Sequence, residues 1–153
     1  MPNYCAKCAD RAVAYRATAL LYLDQATRTL DRLRERLRQH PPLAEILAGP
    51  YLHADLLHSS LTPRDLSRIV ALGQAIASKP SADRESYSLT VRYTFPPTLP
   101  ERPFPLTYHA VIVYTWPPPP QQWTCFLVRL YEPTAWFDEQ GYRLCWCAHP
   151  NEE

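Results

Sequence analysis

The hydrophobic period of this chain changes once, near residue 80, and that change limits the folds open to it. Before it, Ala19, Leu23, Ala26, Leu30, Leu33 and Leu37 recur every three or four residues, the stripe of a helix that buries one side. After it, Tyr87, Leu89, Val91, Tyr93 and Phe95 alternate with Ser86, Ser88, Thr90, Arg92 and Thr94, the period of a half-buried strand. Helices first and strands second make the fold class α+β: N-terminal helices, one of them long, packed on a C-terminal four-stranded antiparallel meander sheet.

The elements follow in order. The stripe predicts one helix over 10–39, stopped by Pro41-Pro42. Short helical turns are expected over 43–48 and 51–58. Thr62-Pro63-Arg64-Asp65 reads as a helix start, with Thr62 as cap, Pro63 first and Asp65 third. That helix is expected to bury Leu66, Ile69, Val70, Gly73, Ile76 and Ala77. Strands are expected over 86–95, 108–116, 123–131 and 142–148. The second is apolar on both faces, which suits a central strand. The 153 residues form one domain, with a helical half at 1–80 and a sheet half at 81–153.

Composition removes some functions. Gly49, Gly73 and Gly141 are the only glycines and lie far apart, so the clustered-glycine loops that cradle phosphates are absent. The first half is net basic and the second net acidic, within an overall charge of +1. No basic segment followed by an apolar run opens the chain, and no apolar stretch approaches the ~18–20 residues of a membrane span. The expected setting is cytoplasmic, without a membrane partner. Thiols stay reduced there, and clustered cysteines are more often ligands or reactive groups than disulfides.

The cysteines carry the sharpest chemistry. Cys5 and Cys8 lie near one end, Cys145 and Cys147 near the other. Two thiols two residues apart on an extended segment point the same way, so they can share a metal, whereas a disulfide between them would be badly strained. Four thiolates in two chelating pairs suit a closed, structural zinc site, with His149 as an alternate ligand. Cys5 and Cys8 precede a helix, which also fits a reactive thiol pair, and all four fit an ordinary packed environment. Cys125 lies mid-strand and reads as core.

Three surfaces are candidates for partner contact. Arg28, Arg32, Arg34, Arg36 and Arg38 form a basic helix face, interrupted by Asp31 and Glu35, that could meet the phosphates of a nucleic acid or an acidic protein. Trp116 and Trp123 flank the polyproline run Pro117–Pro120 and are rigid anchors for a protein partner. If helices cover one face of the sheet, Arg92, His109, Arg129 and Arg143 are placed to gather with Tyr131 on the other, where aromatic and arginine side chains can stack rings.

The sequence therefore favours a small binding or regulatory module, stapled by zinc, acting by contact with a protein or nucleic acid. An enzyme is the alternative, thiol-based through Cys5 and Cys8 or nuclease-like through His53, His58 or His109. His53, Asp55 and His58 lack the four-residue spacing that puts two histidines on one helical face. A structural subunit self-associating along the 19–37 stripe is the third reading.

Overall fold

The computed structural model describes residues 5–39, 59, 61–82, 85–118, 125–134, 136–148 and 150–151, with only the backbone of 126–128. A single 3-10 turn (Ala6–Cys8) leads into α1 (Ala9–Leu21) and α2 (Leu23–Gln39), followed by α3 (Pro63–Leu72). The sheet comprises β1 (Gln74–Pro80), β2 (Ser86–Phe95), β3 (Leu106–Thr115) and β4 (Cys125–Tyr131). The strands pair antiparallel in sequence order, so β2 and β3 are central. This is the α+β meander expected, with the long helix N-terminal. The turns expected over 43–48 and 51–58, the Pro41-Pro42 stop, Trp123, His149 and the group His53, Asp55 and His58 lie outside the described residues.

Two elements differ from expectation, and each has a physical reason. The Thr62-capped helix stops at Gly73 instead of continuing through Ala77. Ile76 and Ala77 continue the helical spacing of Leu66, Ile69 and Val70. They are nonetheless drawn into β1, because the exposed edge of β2 offers a ladder from Gln74↔Arg92 to Pro80↔Tyr87. The sheet thus begins inside the half read as helical. The 142–148 segment is not a sheet strand. Its alternation satisfies one isolated bridge, Phe137↔Arg143, in a tight reversal where Leu144 N–H donates to Trp136 O at 2.7 Å and Asp138 N–H to Tyr142 O at 2.9 Å.

The helical stripe is also divided. Tyr22 breaks it, and the two halves bury different things. On α2, Ala26, Leu30 and Leu33 are fully buried with Leu66, Ile69 and Val70 of α3 against Leu89, Val91, Ala110 and Ile112 of the sheet. On α1, Ala19 packs instead with Ile76 and Ala77 of β1 and with Tyr142. The register places Ala77 opposite Thr90 and Ala75 opposite Val91, with a bulge between Ala75 and Ala77. The bulge lets Ala75 join the main core while Ile76 and Ala77 serve the second cluster. α2 and α3 cover one sheet face, and α1 passes beside the β1 edge toward the other.

Arg34 locks α2 to α3. Its Nε donates to Val70 O at 2.9 Å and its Nη2 to Gly73 O, satisfying carbonyls left over at the end of α3. The start of α3 has the expected reciprocal cap: Asp65 N–H donates to Thr62 Oγ1 at 3.2 Å, and Thr62 N–H to Asp65 Oδ2 at 3.0 Å. Gly73 is required at the turn into β1 because a Cβ there would meet Ile69 O at 2.4 Å and Val91 Cγ1 at 2.6 Å. Gly73→Ala is therefore expected to cost about 1–3 kcal/mol, as overpacking does. Urea unfolding of the variant checks this, and an unchanged midpoint would show that the turn has room to spare.

Candidate metal centre

The inward face of the 3-10 turn and α1 bears Cys8, Ala12, Tyr15 and Ala19, spaced three or four apart, and the segment around Trp146 lies along it. Trp146 is the centre of that contact. Its ring meets Tyr15 edge-on at 5.6 Å, with the Arg11 guanidinium 4.6 Å and the Arg143 guanidinium 5.2 Å from its centroid. Arg11 also donates to Pro150 O at 2.8 Å, and Arg16 to Gln140 Oε1 at 3.1 Å. These contacts bring both cysteine pairs to one place.

The sulfurs of Cys5, Cys8, Cys145 and Cys147 all lie within 4.8 Å of one another, and the four thiols are free. The group could hold a metal ion. Cys5 Sγ is 3.6 Å and Cys8 Sγ 3.8 Å from Cys147 Sγ. A tetrahedron of sulfurs about a metal at ~2.3 Å has edges of roughly 3.8 Å. These spacings are already close to that edge and far beyond the ~2.05 Å of a disulfide. Cys8 and Cys145 are buried, while Cys147 is exposed, so the cluster opens to solvent on one side.

Local electrostatics favour one negative sulfur. Cys5 is lowered to about 7, first by the hydrogen bond from Cys147 and then by the Cys8 backbone N–H. Cys147 is pushed up to about 12, because its proton serves Cys145, Cys5 and Cys8 in turn. Several thiolates at this separation repel, and a cation among them reverses that balance. Backbone donors already face the sulfurs: Trp146 N–H points to Cys8 Sγ at 3.4 Å and Cys147 N–H to Cys145 Sγ at 3.5 Å. Such contacts orient metal ligands and spread their charge. Cys125 is far from this chemistry. It is buried in the main core, and burial pushes its thiol up to about 12.

The same C-terminal segment crosses the sheet face that α2 and α3 leave uncovered. Arg92 and His109 face each other across β2 and β3, and His109 pairs with Tyr131 of β4. Arg92 Nη1 lies 3.2 Å from His109 Nε2, and His109 Nδ1 lies 3.4 Å from Tyr131 Oη. Guanidinium only donates, so Nε2 accepts and Nδ1 carries the proton of the neutral ring. Phe137 packs edge-on against His109 at 5.5 Å, and Gly141 sits over it with φ +95. A Cβ on Gly141 would come within 3.0 Å of both His109 Nε2 and Arg92 Nη1. Arg92 fastens the segment by donating to Glu139 O at 2.9 Å.

Beside this anchor the open face forms a cleft of about 650 Å³. Its floor includes Ser86 and Ser88 of β2, Val111 and Val113 of β3 and Arg129 of β4. Tyr15, Lys79, Tyr131, Glu132, Trp136, Phe137 and Arg143 wall it. The gathering expected from sequence is thus present in two parts: Arg92 and Tyr131 each against His109, and Arg129 and Arg143 around the cleft with Tyr131. Lys79, Trp136 and Phe137 had no signal in the sequence, since loop aromatics and an edge lysine are ordinary until the segment folds back over the sheet. The arginines of α2 do not form one free stripe. Arg34 caps α3, Arg28 pairs with Asp24 at 3.2 Å, and Arg38 with Glu35 at 3.3 Å. Trp116 is half-buried against the main core.

No protein-family model, no curated protein and no solved structure matches this chain.

His109 gives the anchored segment a pH signature. Burial first, and then the Arg92 charge, lower it to about 4 from an ordinary 6.5. The unfolded chain therefore takes up this proton before the folded one does as pH falls. Its contribution is complete above about pH 6.5 and is lost progressively down to pH 4, on the order of 3 kcal/mol in all. His109→Gln, which keeps an acceptor for Arg92 and a donor for Tyr131, is expected to lose that much less stability than the parent between pH 7 and pH 4. Denaturant titrations at the two pH values measure the difference, and parallel losses in both proteins would remove His109 as the cause.

Proposed function

We propose that this chain is a small binding module, stapled by one structural zinc ion and acting by contact with a partner through the open face of its sheet. The observation that carries the reading is the meeting of four thiols from opposite ends of the sequence within 4.8 Å. Zinc suits an all-thiolate, tetrahedral set, and the observed sulfur separations are near those it requires. The ion would have a mechanical task. It joins the first turn of the helical layer to the segment that crosses the open face, and that segment supplies Trp136, Phe137 and Arg143 to the cleft.

The open face is favoured over the α2 arginines as the contact surface because those arginines are partly committed within the fold. Arg34 holds α2 against α3, and Arg28 and Arg38 have acidic neighbours on their own helix. Exposed pairs of that kind are individually weak, so Arg28 and Arg38 remain a secondary surface for an acidic partner. The thiols also support a second reading. Cys5 is lowered to about 7 beside Cys8, which is the condition of a reactive pair in the absence of a metal.

Elemental analysis of freshly purified protein is expected to give about one zinc per chain. The double variant Cys145→Ser, Cys147→Ser is expected to lose the metal and to melt at lower temperature, since metal binding and folding are linked. A metal-free parent whose melting matches that of the variant would overturn the staple. Metal-free protein with a rapidly alkylated Cys5 would turn the reading to thiol chemistry.

A further inference from the structure

We propose that the cleft on the open sheet face binds a small aromatic anion, a molecule with one flat ring system and one carboxylate or phosphate group. This rests on the reading of the chain as a binding module and names the ligand class for the surface identified there.

Volume sets the scale. At about 650 Å³ the cleft is in the middle of the range for sites that enclose small organic ligands. Its extent sets the shape. From Lys79 on β1 to Arg129 on β4 the floor crosses three strand-to-strand steps, or roughly 14 Å. β1 and β4 are the two edges of the sheet, so the floor ends where they do. One ring with a charged tail fills that span, whereas a polymer needs a track that continues past the edges.

Chemistry selects the ligand. Trp136 is 43% exposed, and with Tyr131 and Phe137 it offers ring surface for stacking. Tyr131 and Phe137 are already held, their centroids 6.1 Å apart and each packed on His109, so they lose little freedom when a ligand arrives. Among the described residues, Lys79, Arg129 and Arg143 line the cleft together with one acid, Glu132. An anion is therefore the complementary partner, and arginine pairs with carboxylate or phosphate in two-point geometry.

Arg143 has a special place in this set. Its Nε donates to Cys145 O at 2.9 Å, and its plane lies over Trp146, so its position is tied to the thiol cluster. Ser86 and Ser88 add hydroxyls to the floor between the charged walls, where they can meet polar atoms on the ring.

The test is calorimetric titration of the full-length, metal-assayed protein with adenosine monophosphate and, separately, with 2-naphthoate. At least one is expected to bind with 1:1 stoichiometry, and uncharged 2-naphthalenemethanol to bind at least about tenfold more weakly than naphthoate if naphthoate is the ligand. Binding by the nucleotide alone places the anion as phosphate, and binding by naphthoate alone places it as carboxylate. Arg129→Gln, at an exposed position, is expected to weaken the bound ligand about tenfold, and Val111→Trp to fill the floor and abolish binding in a protein with unchanged circular dichroism. No binding by either compound, or affinities that both variants leave unchanged, would overturn the inference. So would a short oligothymidylate that bound through Arg129 where neither small molecule did. Zinc present with no binding rejects the ligand class while leaving the stapled module intact. Binding without zinc rejects the staple and leaves the cleft.

Discussion

The thiol of Cys8 accepts the backbone N–H of Trp146, 138 residues further on, and much of the second layer of this protein depends on that meeting. A contact of such range closes nearly the whole chain into a loop, and a single sulfur hydrogen bond is too weak to offset the entropy of doing so. Cross-linking a loop of about 100 residues removes on the order of 4–5 kcal/mol of freedom from the unfolded chain. The Trp146 ring, set between Arg11 and Arg143 and edge-on to Tyr15, supplies part of what holds the ends together. A metal among the four sulfurs would supply far more, since metal binding to a site that forms only on folding adds to folding free energy.

Both sheet faces are used, but by different means. On the α2 and α3 side, Leu30, Leu33, Leu66, Ile69, Leu89 and Ile112 are almost wholly removed from water, and the driving force is burial of aliphatic surface. Polar groups admitted to this core are paired: Tyr114 Oη meets Ser78 Oγ at 2.7 Å and Gln25 Nε2 at 3.0 Å. On the other side the covering is irregular chain, which cannot satisfy its own backbone as a helix does. Asp138 therefore accepts from the N–H groups of both Gln140 and Tyr142 at 2.9 Å, and Arg92 donates to the Glu139 carbonyl. The segment is held by specific contacts at its ends and bend, and the cleft is the part of the face it does not cover.

What was legible in the sequence follows from this division. The clean alternation of Ser86–Phe95 reports a strand with two unlike faces, and the stripe of Ala26, Leu30 and Leu33 reports a helix with one buried side. Both patterns are consequences of one-sided burial. The 142–148 segment misleads for the opposite reason: Tyr142, Arg143, Cys145 and Trp146 are all buried, so burial there does not follow the alternation. Alternation there signals no ladder. β1 was hidden because Gln-Ala-Ile-Ala-Ser-Lys-Pro has weak strand preference, and the edge of β2 overrides it. The thiol pairs were legible as candidate metal ligands because chelation needs short local spacings. Their meeting in space was a tertiary fact, and so was the arrival of Trp136 and Phe137 beside Arg129.

The thiol cluster and the cleft share a stretch of chain, so a metal held in the cluster would have a consequence beyond stability. Arg143, Cys145, Trp146 and Cys147 are near neighbours in sequence, and Arg143 is bonded to the carbonyl of Cys145. Filling the cluster would fix Cys145 and Cys147, and through that carbonyl would fix the guanidinium at the cleft wall. Without an ion, the Trp146 contacts, Arg11 to Pro150 O and the hydrogen bonds of the reversal at Phe137–Arg143 still tie these residues. A segment without regular secondary structure has no internal ladder to define its path, so its outer anchor determines how well its side chains are positioned. Because the thiol pairs come from opposite ends of the sequence, a single ion among them would be sufficient. Such an ion would fasten the first turn of the helical layer and the last crossing of the sheet in the same step, with the open face between them.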